Sequence, residues 1–217
     1  MCNLKSKYFE ENNFLEAGVD EAGRGCLFGR VYAGIVIWDP NITIPDKITI
    51  TDSKKLSKKR RDLAFDFIKE HAIDWAVGFC EPSEIDTFNI LNSTKIAMRR
   101  SLASLNITPD VILIDGNQDF SNSIQNTQEC VINKKECKHI TITQGDSKFL
   151  SIAAASILAK VSHDNYISKL CTSYPLLDLH YGLLSNMGYG TLKHRNGIKE
   201  HGLHDLHRRS FKVVLPI

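Results

Sequence analysis

Four apolar residues in a row, Val111–Ile114, run directly into Asp115-Gly116-Asn117. A run that is apolar at every position is a strand covered from both sides, and Asp-Gly-Asn is the chemistry of the turn that ends it. Such a strand needs a sheet beside it and helices over it, and the rest of the chain supplies both. Leu15–Asp20 alternates weakly and Arg30–Trp38 is β-branched and aromatic, while the Gly-rich EAGRGCLFG between them reads as a hairpin-like return. Ile73–Cys80 and His139–Thr143 read as further strands. Ser57 is placed to cap a helix in which Leu63, Ala64, Phe67, Ile68 and His71 recur at helical spacing. Pro82 opens a short helix, and Asn92 or Ser93 a longer one carrying Met98, Leu102 and Leu105. Lys148–Ser168 reads as an Ala-rich helix with Ile152, Ser156, Ala159 and His163 on one stripe. After Tyr174-Pro175 the composition turns to Gly, His and basic residues. The expectation is an α/β fold, a mixed sheet flanked by helices over residues 1–174, with a helical extension over 175–217 packed on it.

At 217 residues the chain is long enough to hide about 70% of its unfolded surface, so its core needs no disulfides. The six cysteines (Cys2, Cys26, Cys80, Cys130, Cys137, Cys171) form no CxxC pair and read as reduced thiols of a cytoplasmic protein. A Cys130–Cys137 bridge across a hairpin carries little weight. No apolar stretch approaches the ~20 residues of a membrane span, and the opening MCNLKSKYFEENN has no signal-peptide hydrophobic region. Net charge is +2, with 27 Lys and Arg against 25 Asp and Glu, which does not announce a nucleic-acid binder in bulk. The basic residues nevertheless gather, at Lys54, Lys55, Lys58, Lys59, Arg60 and Arg61 and again from Lys193 to Arg209. Solvated helix faces account for either group as readily as phosphate contacts do.

The acids are more informative. Asp20 and Glu21 follow the first strand, Asp115 ends the buried one, and Asp164 sits late in the Ala-rich helix. Strand ends of α/β sheets are where sites are built. Taken singly, a strand-end Asp is more often a turn or cap residue. Clustered carboxylates repel one another unless a cation neutralises them. Without nearby cysteines or an obvious histidine set, four such acids suit an oxygen-seeking ion such as magnesium or manganese. Two ions roughly 4 Å apart would clamp the attacking and leaving oxygens of a phosphodiester. Gly23-Arg24-Gly25 with Gly29 misses the dinucleotide fingerprint, and no phosphate-cradling GxxxxGK[ST] is present. A tight turn is the plain reading of these glycines. They also let backbone approach a sugar or phosphate, with Arg24 offering a fork of donors beside them.

Gly18-Val19-Asp20-Glu21-Ala22-Gly23-Arg24-Gly25 resembles the opening signature of the ribonuclease HII (type 2 ribonuclease H) family. Further blocks match in order: Asp52 to Ser57, Asp115-Gly116, Gly145 to Lys148, Ser151 to Ser156 with Ala159-Lys160-Val161, and Gly188-Tyr189-Gly190-Thr191 with His194. His201-Gly202 and His207-Arg208 complete a series running from about residue 17 to 211. The resemblance implies a ribonuclease H-like fold in which Asp20, Glu21, Asp115 and Asp164 hold two divalent ions, Mn2+ or Mg2+. It implies an endoribonuclease that cuts the RNA strand of RNA–DNA hybrids and cleaves 5′ of single ribonucleotides embedded in duplex DNA, leaving 5′-phosphate and 3′-hydroxyl ends. Gly23, Arg24 and Gly25 would read the ribose 2′-hydroxyl, and Tyr189 would stack on the neighbouring deoxyribose. Lys54, Lys55 and Lys148 would contact phosphates.

His163 and Met187 replace basic residues that are usual in the family, which predicts a weaker or pH-dependent phosphate contact. Asn117–Lys138 reads as an insertion-like polar stretch. His201, His204 and His207, at i, i+3 and i+6, would walk around a helix rather than share a zinc. Type III relatives usually have Gly-Lys-Gly and a large N-terminal domain, for which the 19 residues ahead of Asp20 are too few. A resolvase or exonuclease on the same fold would lack the Gly-Arg-Gly and Tyr189 elements. The non-enzymatic alternative, a catalytically weak RNA–DNA junction-binding module, predicts a replaced acid, and none is replaced. A monomer is the default expectation. A sliding clamp stays open as a partner, although SFKVVLPI shows no evident clamp-binding motif.

Overall fold

A computed structural model of the chain describes residues 4–10, 13–120 and 137–216. Five strands, β1 (Glu16–Ala22), β2 (Val31–Ile37), β3 (Asp74–Cys80), β4 (Val111–Asp115) and β5 (Lys138–Ile142), form one sheet in the order β3-β2-β1-β4-β5. The hairpin-like return is present: β1 and β2 are antiparallel, as are β2 and β3. β4 and β5 join in parallel on the other side of β1. Every residue of β2 is buried, as its uninterrupted apolar sequence requires.

Strand alternation sorts the core into two layers. Ala17, Val19, Ala33, Ile35, Ile112 and Ile114 point to one face and pack on Ala97, Met98 and Leu102 of α2 (Pro82–Ala103). The opposite face is covered by α3 (Leu150–Ser173), with α1 (Lys58–His71) beside it, through Val36, Ala64, Ile68, Ala154 and Leu158. Small residues let α3 lie close. A Cβ placed on Gly34 would stand 2.4 Å from the Ala155 carbonyl oxygen.

The two helices expected in the 82–105 region are present within α2, joined end to end across a break at Asn89. Glu84 accepts the Glu81 N–H at 2.8 Å in a capping box at its start, with Pro82 in the first turn. Asn89 then adopts a left-handed φ of 65°, and its side chain accepts the Asn92 N–H at 3.1 Å. The kink is thus an internal N-cap, three residues ahead of the boundary read from sequence.

Beyond residue 174 lie α4 (Leu176–Tyr181), α5 (Leu183–Asn186) and α6 (Leu192–His201). Their apolar residues Leu177, Tyr181, Leu183 and Ile198 cluster with Phe28, Ile167 and Cys171, so this segment shares its core with the β1–β2 connection and the end of α3. α6 stops at His201, which leaves His204 and His207 outside any helix. The three histidines expected to walk around one helix therefore share none. Among the described residues no group of three His, Cys, Asp or Glu side chains is disposed as metal ligands. No described helix is long and apolar enough to cross a membrane. Cys130 and most of the polar stretch, residues 121–136, lie outside the described residues.

Candidate active site

β1 and β4 run parallel with Val19 opposite Ile114, so Asp20 and Asp115 are the next residues along neighbouring strands. Alternation turns both toward α3. Asp20 is also paired across β1–β2 with Gly34, whose missing side chain leaves the helix room to pass the acid. Asp115 is held from the far side, its Oδ1 accepting the Gly145 N–H at 2.6 Å.

The charges behave as a cluster. Asp20 is buried, and burial first, then the charges of Glu21 and Asp115, push its carboxyl well above the usual range. The Glu21 N–H donates to Asp20 Oδ1 at 2.7 Å, and the Ser156 hydroxyl on α3 eases the shift further. Glu21 is raised by burial, lowered by Arg24, whose Nη1 lies 3.4 Å from its Oε1, and raised again by Asp115. Three carboxylates thus accumulate negative charge at the ends of two adjacent strands. Asp164 has a different environment. Burial raises its pKa, but His163 and Lys160 outweigh burial and bring the net value down. Lys160 Nζ is 2.8 Å from Oδ1 and Arg61 Nη2 is 3.7 Å from Oδ2. As placed, no three of these side chains converge as ligands; their donors are oxygen throughout, and the repulsion among Asp20, Glu21 and Asp115 is what a hard divalent cation relieves.

The expectation for His163 is corrected. Its side chain is wholly buried, out of reach of any phosphate. Nδ1 lies 3.0 Å from Asp164 Oδ1 and Nε2 lies 3.6 Å from Cys26 Sγ. An ionised carboxylate accepts only, so the ring carries its proton on Nδ1 and donates it to Asp164. Burial keeps this histidine below its ordinary pKa, hence neutral. The ring also explains Gly23, where φ is 81° and an added Cβ would stand 2.5 Å from His163 Cδ2.

A cleft of about 510 Å³ opens beside Glu21, walled by Gly23, Arg24, Gly25, Ser53, Lys54, Lys160 and Tyr189. Gly25 and Tyr189, far apart in sequence, meet because Cys26 and Tyr189 form an antiparallel bridge and the Leu27 N–H donates to the Gly188 carbonyl at 2.8 Å. The Tyr189 ring comes within 3.6 Å of where a Cβ on Gly25 would lie. Of the three lysines, Lys54 lines the cleft. Lys55 and Lys148 are not among its lining residues: Lys55 reaches Asp52 at 3.9 Å and Lys148 donates to the Thr143 carbonyl at 2.7 Å.

Sequence reasoning missed Lys160 and Arg61 as neighbours of Asp164. The first had a usable signal, an i, i+4 spacing to Asp164 on one helix. Ser53 was named only within a matched block; its hydroxyl lies 2.8 Å from that of Ser156.

Known proteins match this arrangement along almost its whole length. A family model described as Ribonuclease HII matches residues 17–214. The chain belongs to the ribonuclease HII family. It is 43% identical to the ribonuclease HII of Aliivibrio fischeri strain MJ11 over 95% of this chain and 90% of that one. It is 41% identical to that of Parabacteroides distasonis over 95% and 94%. Among solved structures it is similar to the ribonuclease H2 of Pyrococcus horikoshii OT3, with a TM-score of 0.71 and 28% identity over 91% of this chain and 94% of that one. As a ribonuclease HII it is a metal-dependent endoribonuclease, and ribonuclease H activity on RNA–DNA hybrids is the family's common property.

Proposed function

We propose that the chain excises ribonucleotides from DNA, cutting 5′ of a single ribonucleotide in a duplex as well as the RNA strand of continuous hybrids. The observation that carries this reading is the meeting of Gly25 and Tyr189 in the wall of a cleft that begins at Glu21. A 2′-hydroxyl both donates and accepts, so backbone groups of Gly23–Gly25 could tell ribose from deoxyribose at one nucleotide. The Tyr189 ring beside them would pack on the next sugar, where a further hydroxyl would crowd it. Reading and cutting would then share one cleft.

Asp20, Glu21, Asp115 and Asp164 would hold two divalent ions, magnesium or manganese. Ions bound there supply the positive charge that stabilises the attacking and departing oxygens of a phosphodiester, with 5′-phosphate and 3′-hydroxyl products. The side chains around them have separable tasks. His163 and Lys160 keep Asp164 ionised and oriented, Ser156 and the Glu21 amide orient Asp20, and the Gly145 amide orients Asp115. Lys54 and Lys160 face the cleft as phosphate partners; Lys55 and Lys148 would meet the backbone of the duplex further out, at the cytoplasmic salt where such contacts weaken by counterion release.

An end-labelled DNA duplex with one ribonucleotide, incubated with magnesium, manganese or EDTA beside an all-DNA control, tests the reading. Cleavage on the 5′ side of the ribonucleotide, lost in EDTA and absent from the control, is expected. Cutting of a continuous hybrid alone would remove the junction-reading role of Tyr189. Binding with no cutting of either substrate would favour a junction-binding module.

A further inference from the structure

His207 and Arg208 are each only 1% exposed, and the site described above uses neither. Arg208 spends its guanidinium on a single loop. Nε donates to the Gly29 carbonyl at 2.9 Å, Nη1 to that of Arg24 at 3.0 Å and Nη2 to that of Arg30 at 2.9 Å, while the Arg208 amide donates to Leu27 at 2.9 Å. Three carbonyls of one turn, gripped by a rigid planar fork, is a geometry that lysine does not reproduce.

His207 reaches the other side of the cleft. Its Nδ1 receives the His204 N–H at 2.8 Å; the His204 carbonyl, 3.2 Å from the same nitrogen, already accepts the His207 N–H at 2.9 Å, so Nδ1 carries no proton. The ring proton is therefore on Nε2, which lies 3.0 Å from His194 Nε2 and donates to it. The His194 proton must then be on Nδ1, which donates to the Tyr189 carbonyl at 3.0 Å. That carbonyl also accepts the Thr191 N–H at 2.8 Å. Every donor in the chain His204–His207–His194–Tyr189 finds an acceptor, and both rings are neutral. Two adjacent buried residues thus lead to the Arg24 and Tyr189 carbonyls, His207 by way of His194.

We infer that His207 and Arg208 are positioning residues for ribonucleotide recognition: Arg208 holds the Gly23–Gly25 turn, and His207, acting through His194, holds the backbone of Tyr189. The inference rests on the reading of Gly23–Gly25 and Tyr189 as the recognition surface. It divides the two residues by substrate. The turn is needed wherever a ribose is read, so Arg208→Lys raises KM on the single-ribonucleotide duplex and on the continuous hybrid alike. The Tyr189 branch matters only where a deoxyribose follows, so its loss falls on the single-ribonucleotide duplex.

The test is kcat and KM on both substrates for Tyr189→Ala, His207→Phe, His194→Gln and His194→Asn. Asparagine carries an amide donor near the position of Nδ1, whereas glutamine places its amide near Nε2. His207→Phe and His194→Gln should lower kcat/KM on the single-ribonucleotide duplex by about tenfold, the loss of one net hydrogen bond, and leave the hybrid nearly unchanged. His194→Asn should recover most of that loss. Equal losses on both substrates, no loss at all, or no difference between Asn and Gln at position 194 would overturn the inference. If His207→Phe does not fold, the Asn and Gln pair decides alone. A Tyr189→Ala variant that loses equally on both substrates removes the recognition surface itself, and the inference falls with it. A selective Tyr189→Ala beside unselective His207 and His194 variants defeats the positioning role only.

Discussion

A carboxylate at a strand end acquires its chemistry from its neighbours. Asp115 illustrates this: its strand was legible as an apolar run and its turn as Asp-Gly-Asn, but its restraint by the Gly145 amide depends on a segment 30 residues away. Asp115→Asn keeps the shape and removes the charge. Loss of an ion's charge stabilisation, several kcal/mol, predicts a fall of roughly a thousandfold in kcat, with duplex binding retained in a mobility-shift assay; cleavage at the wild-type rate would take Asp115 out of the site. The four acids and the Gly-Arg-Gly turn were legible as candidates through a family resemblance, whereas their spacing alone did not show that they converge. His163 could not be read correctly. A histidine next to an acid looks like a surface cation until the fold buries it between Cys26 and Asp164. Arg208 was hidden for the same reason, since an arginine in a basic tail gives no sign that its partners are three main-chain carbonyls.

At the scale of elements, the layers were readable because period-2 and helical patterns report burial directly. The closeness of the layers was not. It depends on glycines whose role shows only when the facing backbone is known. Gly34→Ala would put a Cβ 2.4 Å from the Ala155 carbonyl, at the cross-strand partner of Asp20. Overpacking against main chain should cost about 1–3 kcal/mol, a fall in Tm of a few degrees or more for a chain of this length, and activity should fall with it because α3 carries Asp164. An unchanged Tm would show that the helix has slack there. The break between the two parts of α2 was legible but was read three residues late, because asparagine is an ordinary helix-surface residue until φ turns positive and its side chain caps the next segment.

Over the whole molecule, the histidines near the end of the chain pack the 175–217 segment against Phe28 of the β1–β2 connection, and they make stability depend on pH. Burial, with the neighbouring His194 next in size, brings His207 down to about 4, and burial lowers His194 as well. An unfolded histidine titrates near its ordinary value of about 6.5. The folded state therefore binds fewer protons than the unfolded state below that value, and the contribution of these residues is full above about pH 6.5 and lost as pH falls toward 4. Asp20, raised in the folded state, acts in the opposite sense: what it contributes is present at low pH and lost as pH rises through its folded value. Urea midpoints at roughly pH 7 and pH 5 separate the two, because His207→Phe should lose less than the wild type between them; an equal or larger loss would contradict the assignment.

The proposed function places the reading of a ribonucleotide and the cut beside it in one cleft. The most direct test is the ratio of kcat/KM on a single-ribonucleotide duplex to that on a continuous RNA–DNA hybrid, for the wild type and Tyr189→Ala. The account predicts that the variant loses activity mainly on the single-ribonucleotide duplex, so the ratio drops by about tenfold, the scale of one lost sugar–aromatic contact. An unchanged ratio would contradict it, whatever the absolute rates.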